Sequence, residues 1–188
     1  FKRIEHNEEY DLKNVEKIIE DENGNIWIQC SSGIFRYIIS ENKISCISCG
    51  DFNEITSFSK IFGTQSNNVI IGSFSDIFKY DAGKDSLFSL MNENYREKID
   101  LSFVTDILDI GDNTWIASRE GLVKVPNNLT TNPVLFKFNP HENSIVNDDI
   151  RDIDYDSTNN NIWITTKDGI SRYDLLNDKF FNIKVTLF

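Results

Sequence analysis

Residues 161–174 read Asn161-Ile162-Trp163-Ile164-Thr165-Thr166-Lys167-Asp168-Gly169-Ile170-Ser171-Arg172-Tyr173-Asp174. Two short runs rich in β-branched and aromatic residues flank a tight polar turn, the pattern of a hairpin rather than a helix. The turn ends at Gly169, where a left-handed backbone costs least. The same motif occurs three more times. Its first run is Asn25-Ile26-Trp27-Ile28, Asn68-Val69-Ile70-Ile71 and Asn113-Thr114-Trp115-Ile116. The third residue of each run falls at 27, 70, 115 and 163, so the intervals are 43, 45 and 48. Six residues beyond it stand Gly33, Asp76, Gly121 and Gly169, and nine beyond it the bases Arg36, Lys79, Lys124 and Arg172. Ten beyond it come Tyr37, Tyr80, Val125 and Tyr173. Asp76 in the glycine position is expected to take the left-handed region, which Asp tolerates better than most residues.

Each motif is extended by an apolar run on either side. Before it lie Val15 to Ile19, Ile55 to Phe58, Val104 to Ile110 and Ile150 to Tyr155. After it lie Ile44 to Ile47, Leu87 to Leu90, Val134 to Phe138 and Phe180 to Val185. Polar turns, such as Asp21-Glu22-Asn23-Gly24 and 156–160, join the first run to the second. Four antiparallel strands per period of about 45 residues is the signature of a β-propeller blade. Helical solenoids share the period but need 3.6-residue periodicity, which is missing here. The fold class is therefore all-β, a β-propeller of four-stranded antiparallel blades, with residues 1–188 forming one propeller region. The blades are predicted at 12–48, 53–91, 103–139 and 147–186, with 1–4 as the outer strand of a preceding blade. Four blades stand at the low end of the propeller range. The expectation is a piece of a larger ring, with closure alone or pairing with a second copy as the alternatives. Phe1 in place of Met points the same way.

Composition narrows the function. Lys plus Arg is 19 against 30 Asp plus Glu, a formal net charge of −11. Such a field repels phosphate backbones and anionic lipid, so nucleic acid and direct membrane contact are not expected. No window approaches the ~20 apolar residues of a membrane span, and no signal peptide is visible. Cys46 and Cys49 form a lone C-x-x-C with no second pair for zinc and no helix start to activate it. With Cys30 they read as buried or incidental thiols. No metal site and no cofactor are expected, and Asp21-x-Asn23-Gly24-Asn25 reads as a hairpin turn rather than a calcium loop, since Ser32 stands where the bidentate Glu belongs.

The repeat resembles the two-component-regulator propeller family. The resemblance rests on Asp-x-x-Gly-Asn-Ile-Trp-Ile at 21–28 and on the fourth unit, which runs from Asn143-Ser144-Ile145-Val146-Asn147-Asp148-Asp149-Ile150 through Gly169-Ile170-Ser171-Arg172-Tyr173-Asp174. It covers essentially the whole chain. The second unit departs from the pattern at Ile70 and Asp76, and 92–102 is an insertion. The resemblance implies the periplasmic part of an inner-membrane hybrid two-component sensor histidine kinase, recognising oligosaccharides released from polysaccharides. It implies binding, not catalysis. The rival readings are a protein-interaction or dimerisation scaffold and a propeller lyase of the streptogramin-inactivating type, which would use His and Glu in loops such as His141-Glu142. Only His6 and His141 are present, and neither lies in a nucleophile-elbow context.

Candidate ligand-binding residues follow from what the repeat leaves unfixed. Arg119, Lys167 and Asp168 sit in the loops between the second and third strands, where a rigid scaffold commonly carries function. Asp152, Asp154 and Asp156 alternate along one strand and so share a face, with Asp106 and Asp109 on the equivalent strand one repeat earlier. They read either as a cation or polar-ligand site, with acid–base work as a minor option, or as a solvated channel wall and turn caps. Trp27, Trp115 and Trp163 recur at one structural position, which favours packing between blades over stacking on sugar.

Overall fold

The computed structural model of the chain describes residues 10, 12–47, 59–64, 68–73, 76–91, 99, 103–128 and 131–184. Its strands form four antiparallel sheets, each with its four strands paired in chain order. The first sheet contains β1 (Val15–Glu20), β2 (Ile26–Cys30), β3 (Gly33–Ile38) and β4 (Lys43–Cys46). The second contains β5 (Lys60–Gly63), β6 (Val69–Gly72), β7 (Ile77–Asp81) and β8 (Ser86–Ser89). The third contains β9 (Val104–Ile110), β10 (Asn113–Ser118), β11 (Gly121–Pro126) and β12 (Val134–Phe136). The fourth contains β13 (Ile150–Asp156), β14 (Asn161–Thr166), β15 (Gly169–Asp174) and β16 (Lys179–Lys184). The fold is all-β, built of four propeller blades.

The chain divides into two compact units, Phe1–Met91 and Asn92–Phe188. In the first, Trp27, Ile34, Ile61, Val69, Ile71, Phe78 and Tyr80 form one buried cluster between its two sheets. Trp27 lies edge-on to Tyr80, with ring centroids 4.9 Å apart. In the second unit, Trp115, Leu122, Ile145, Ile150, Ile153, Ile162, Ile164, Tyr173 and Phe180 belong to the corresponding cluster. Fully burying side chains of this size yields roughly 1.5–3 kcal/mol each, so the facing sheets, not the hairpins singly, hold each unit together.

Buried turns complete the packing. The Asp21 carboxylate accepts from the Asn23 and Asn25 backbone N–H groups (both 2.9 Å), from Asn25 Nδ2 (3.2 Å) and from Trp27 Nε1 (2.9 Å). The β1–β2 hairpin and the core tryptophan thus share one acceptor.

Four expectations are corrected. The first strand of the second blade is Lys60–Gly63, not 55–58; residues 51–58 lie outside the described residues. Phe62 pairs with Ile70, and Ile61 fills the core beside Trp27. Asp76 does not take a positive φ. It is fully buried, and its carboxylate accepts from its neighbour's Ile77 N–H (2.7 Å) and from Ser89 Oγ (2.8 Å). A side-chain acceptor replaces the glycine's backbone freedom. Cys46 is disulfide-bonded rather than a free thiol, while Cys30 is free and buried; Cys49 lies outside the described residues. Finally, Trp27 and Trp115 are core residues, but Trp163 is 38% exposed.

Candidate functional site

The loops that the repeat leaves variable are held by a device the repeat does fix. Three residues beyond the tryptophan position stands a hydroxyl or thiol: Cys30, Ser73, Ser118 and Thr166. Ser118 Oγ donates to the Gly121 carbonyl (3.0 Å) and accepts from the Glu120 N–H (3.1 Å). Thr166 Oγ1 does the same for Gly169 (2.9 Å) and Asp168 (3.3 Å). Ser73 and Asp76 repeat the geometry at 3.0 Å. Each loop is therefore pinned at its base, leaving the two residues between free to vary.

In the second unit these loops meet the connection that enters β13. Asp149 is the centre of this cluster. Its carboxylate accepts from Arg151 Nη2 at 2.8 Å and lies 4.0 Å from Arg119 Nε. Its carbonyl accepts the Lys167 N–H at 3.0 Å. Asn147 ties the connection to the next loop, accepting from the Asp149 N–H (2.7 Å) and donating to Asp168 Oδ2 (2.6 Å). The Arg119 guanidinium lies 5.5 Å from the centre of the Phe103 ring, which is exposed. Of the sequence candidates, Arg119 approaches Asp149 with its side chain, Asp168 is tied to the connection through Asn147, and Lys167 joins it by its backbone N–H. Asp149, Arg151, Asn147 and Phe103 were not legible, because Arg151 and Asn147 bond Asp149 from only two residues away in a connection the repeat does not mark, while Phe103 joins it through Arg119.

Asp152 and Asp154 are placed differently. Asp106 accepts from the Ile107 N–H (2.9 Å) and more loosely from the Ile153 N–H (3.4 Å), bridging β9 to β13. Burial pushes its carboxyl up to about 6, and the charge of Asp152 beside it adds to the rise, against the two backbone bonds. Asp106 and Asp152 form a carboxyl pair at the start of these strands. Asp154 pairs across to Trp163 and shares that exposed face. Asp156 caps the β13–β14 turn, accepting from the Thr158 and Asn159 N–H groups and from Asn159 Nδ2, which hold it below the usual carboxylate range. His141 sits in an exposed turn with its N–H on Asn139 Oδ1, and His6 lies outside the described residues.

Chemically, the Asp149 cluster offers charged donors, carboxylate acceptors, an amide and an aromatic face. Among the described residues no group of three or more His, Cys, Asp or Glu is arranged to hold a metal ion. A depression of about 370 Å³ at the other end of the third sheet, lined by Asp112, Lys124 and Asn132 among others, includes none of the sequence candidates.

No family model matches the chain, and no curated protein matches it. Solved structures do. One is described as the extracellular domain of the hybrid two-component system BT3049 from B. thetaiotaomicron, with TM-score 0.69, 24% identity, and coverage of 90% of this chain and 23% of that one. The fold is shared. A second, described as the extracellular domain of the hybrid two-component system BT4673 from the same organism, gives TM-score 0.68, 21% identity, and coverage of 93% and 22%. Both agree with the two-component-regulator propeller resemblance of the repeats. The chain spans less than a quarter of the length of these two. Virginiamycin B lyase from Staphylococcus aureus shares the fold at TM-score 0.62 and 10% identity, covering 92% of this chain and 56% of that one. No helix among the described residues is long and apolar enough to cross a membrane.

Proposed function

We propose that the chain is a non-catalytic, ligand-sensing part of an extracytoplasmic propeller in a hybrid two-component system, and that the Asp149 cluster recognises a neutral oligosaccharide. The observation that carries this reading is the approach of Arg119 and Arg151 to Asp149, with the Phe103 ring against Arg119 and Asp168 tied in through Asn147, on a fold shared with extracellular domains of such systems. Sugars present alternating hydroxyl donors and acceptors on rings with apolar faces. A mixed-charge cluster beside an exposed aromatic complements both. The net charge of −11 disfavours polyanionic ligands. A disulfide at Cys46 fits an oxidising compartment such as the periplasm.

The test is a thermal-shift screen against a panel of defined neutral oligosaccharides, followed by titration of Arg119→Ala and Arg151→Ala. A ligand at a hundred times its dissociation constant stabilises by about 2.7 kcal/mol, a readily visible melting shift. A selective shift that weakens in both variants is expected. A cooperative melt unmoved by any member of the panel, or a shift that both variants retain, would overturn the reading.

A further inference from the structure

The third sheet ends in a depression that has a counterpart on the first. The one on the first measures about 260 Å³, and Asn25, Arg36 and Ile38 line it. The one on the third measures about 370 Å³, and Asn113, Lys124 and Pro126 line it. Strand register makes these residues equivalent: Arg36 pairs with Trp27 as Lys124 pairs with Trp115, and Asn25 and Asn113 each stand two residues before the tryptophan. Alternation along the strands puts all of them on the tryptophan side of their sheet.

The first unit closes its own depression. Arg36 donates to the Tyr80 hydroxyl (2.6 Å) and to the Asp85 carboxylate of the following sheet, and is 8% exposed. Asn23 Nδ2 makes a second tie, to the Ala82 carbonyl (3.3 Å). The second unit makes neither tie. Tyr173 and Asp178 stand where Tyr80 and Asp85 do, and the Tyr173 hydroxyl donates to Asp178. Lysine is a single ammonium without the fork that lets Arg36 reach two partners. Lys124 is half-buried, with Nζ 5.3 Å from the centre of the Trp115 ring and no hydrogen bond or ion pair. Asp112 belongs to the two-residue turn that replaces the longer turn 21–25. Its carbonyl accepts the Asn127 N–H (2.8 Å), but its carboxylate is likewise unpaired. Trp115 Nε1, whose counterpart donates to Asp21, is buried without a partner. An exposed carboxylate alone means little. A half-buried ammonium lining the same depression, stripped of the carboxylate that its counterpart holds, is a different matter.

We propose that this depression binds a free α-amino acid with an apolar side chain. Its carboxylate meets Lys124, as Asp85 meets Arg36, its ammonium meets Asp112, and its side chain lies along Pro126 and the exposed Val134. The two unpaired charges select this class. A monoanion satisfies Lys124 but is repelled by Asp112, and a cation the reverse. A zwitterion satisfies both, and, being neutral, it enters the field of −11 without the penalty an anion meets. The volume falls within the range of small-ligand sites. The site lies at the opposite end of the sheet from the Asp149 cluster and does not depend on an oligosaccharide binding there.

Titration of the whole ¹⁵N-labelled chain with L-leucine, followed by NMR, tests this. Saturable shifts of the Asp112 and Asn113 amide signals are expected in the millimolar range. Leucine's two truncated analogues, 4-methylpentanoate without the ammonium and 3-methylbutylamine without the carboxylate, should each bind about tenfold more weakly, the step for one charge-assisted bond. Lys124→Gln and Asp112→Asn should each weaken leucine by a similar factor with an unchanged melt, while Arg119→Ala leaves it unaltered. Shifts that never saturate, or an analogue that binds as tightly as leucine, would overturn the proposal. Leucine binding undiminished in both Lys124→Gln and Asp112→Asn would overturn it equally.

Discussion

Single residues set the turns on which each hairpin depends. Gly169 has φ +150°, and a Cβ there would lie 2.3 Å from the Ile183 carbonyl oxygen. Strain and collision coincide, so Gly169→Ala should destabilise the second unit by about 2–4 kcal/mol, measured by urea unfolding. Gly111 has φ +57° with nothing within 4 Å of its would-be Cβ. Gly111→Asn should therefore change stability by less than about 1 kcal/mol. If both substitutions cost the same, the close approach of β15 to β16 is not what selects glycine. Asp21 acts from a side chain instead. Asp21→Ala strands Trp27 Nε1 and the Asn25 N–H in a buried turn, and should cost about 3 kcal/mol. An unchanged melt would mean that water replaces the carboxylate.

Between elements, the Asp106–Asp152 pair joins β9 and β13, the first strands of the two sheets of the second unit, and makes that junction sensitive to pH. The folded Asp106 carboxyl titrates at about 6 against an ordinary 3.8. Below the ordinary value both folded and unfolded chains hold the proton. Between the two values only the folded chain holds it, so stability falls as pH rises through this window and levels off above it. The loss is about 1 kcal/mol after discounting for a partly wet site. Asp106→Asn should remove it. The stability of the variant relative to wild type should climb between pH 4.5 and 7, and a flat difference would mean the carboxyl ionises normally. This pair was only half legible. The sequence placed Asp152 on one face of its strand by alternation with Asp154 and Asp156, and Asp106 on the equivalent strand one repeat earlier, but not their approach across β9 and β13. The blades themselves were legible because Trp27, Trp115 and Trp163 repeat with fixed partners at fixed offsets. Lys60–Gly63 was missed because apolar spacing alone cannot choose between Ile55 with Phe58 and Ile61 with Phe62. Asp149 was missed because nothing local marks an acid whose partners are Arg119 and the Lys167 N–H.

At the scale of the whole chain, the shared fold reaches both extracellular domains of two-component systems and virginiamycin B lyase. Fold alone therefore does not separate sensing from catalysis. The separation must come from the site. A lyase needs a base held within hydrogen-bond reach of the proton it removes, in a setting that tunes it. His141 is exposed in a turn, where its backbone N–H donates to Asn139 Oδ1, and His6 lies outside the described residues. In the Asp149 cluster one carboxylate lies between two arginines, which suits recognition better than proton abstraction. Incubation with a streptogramin B antibiotic, followed by mass spectrometry and chromatography for the ring-opened isomer, should give no product above a protein-free control. His141→Ala should behave identically. Ring opening that His141→Ala abolishes would place a working base in that turn, and the sensing assignment would then give way to the enzyme.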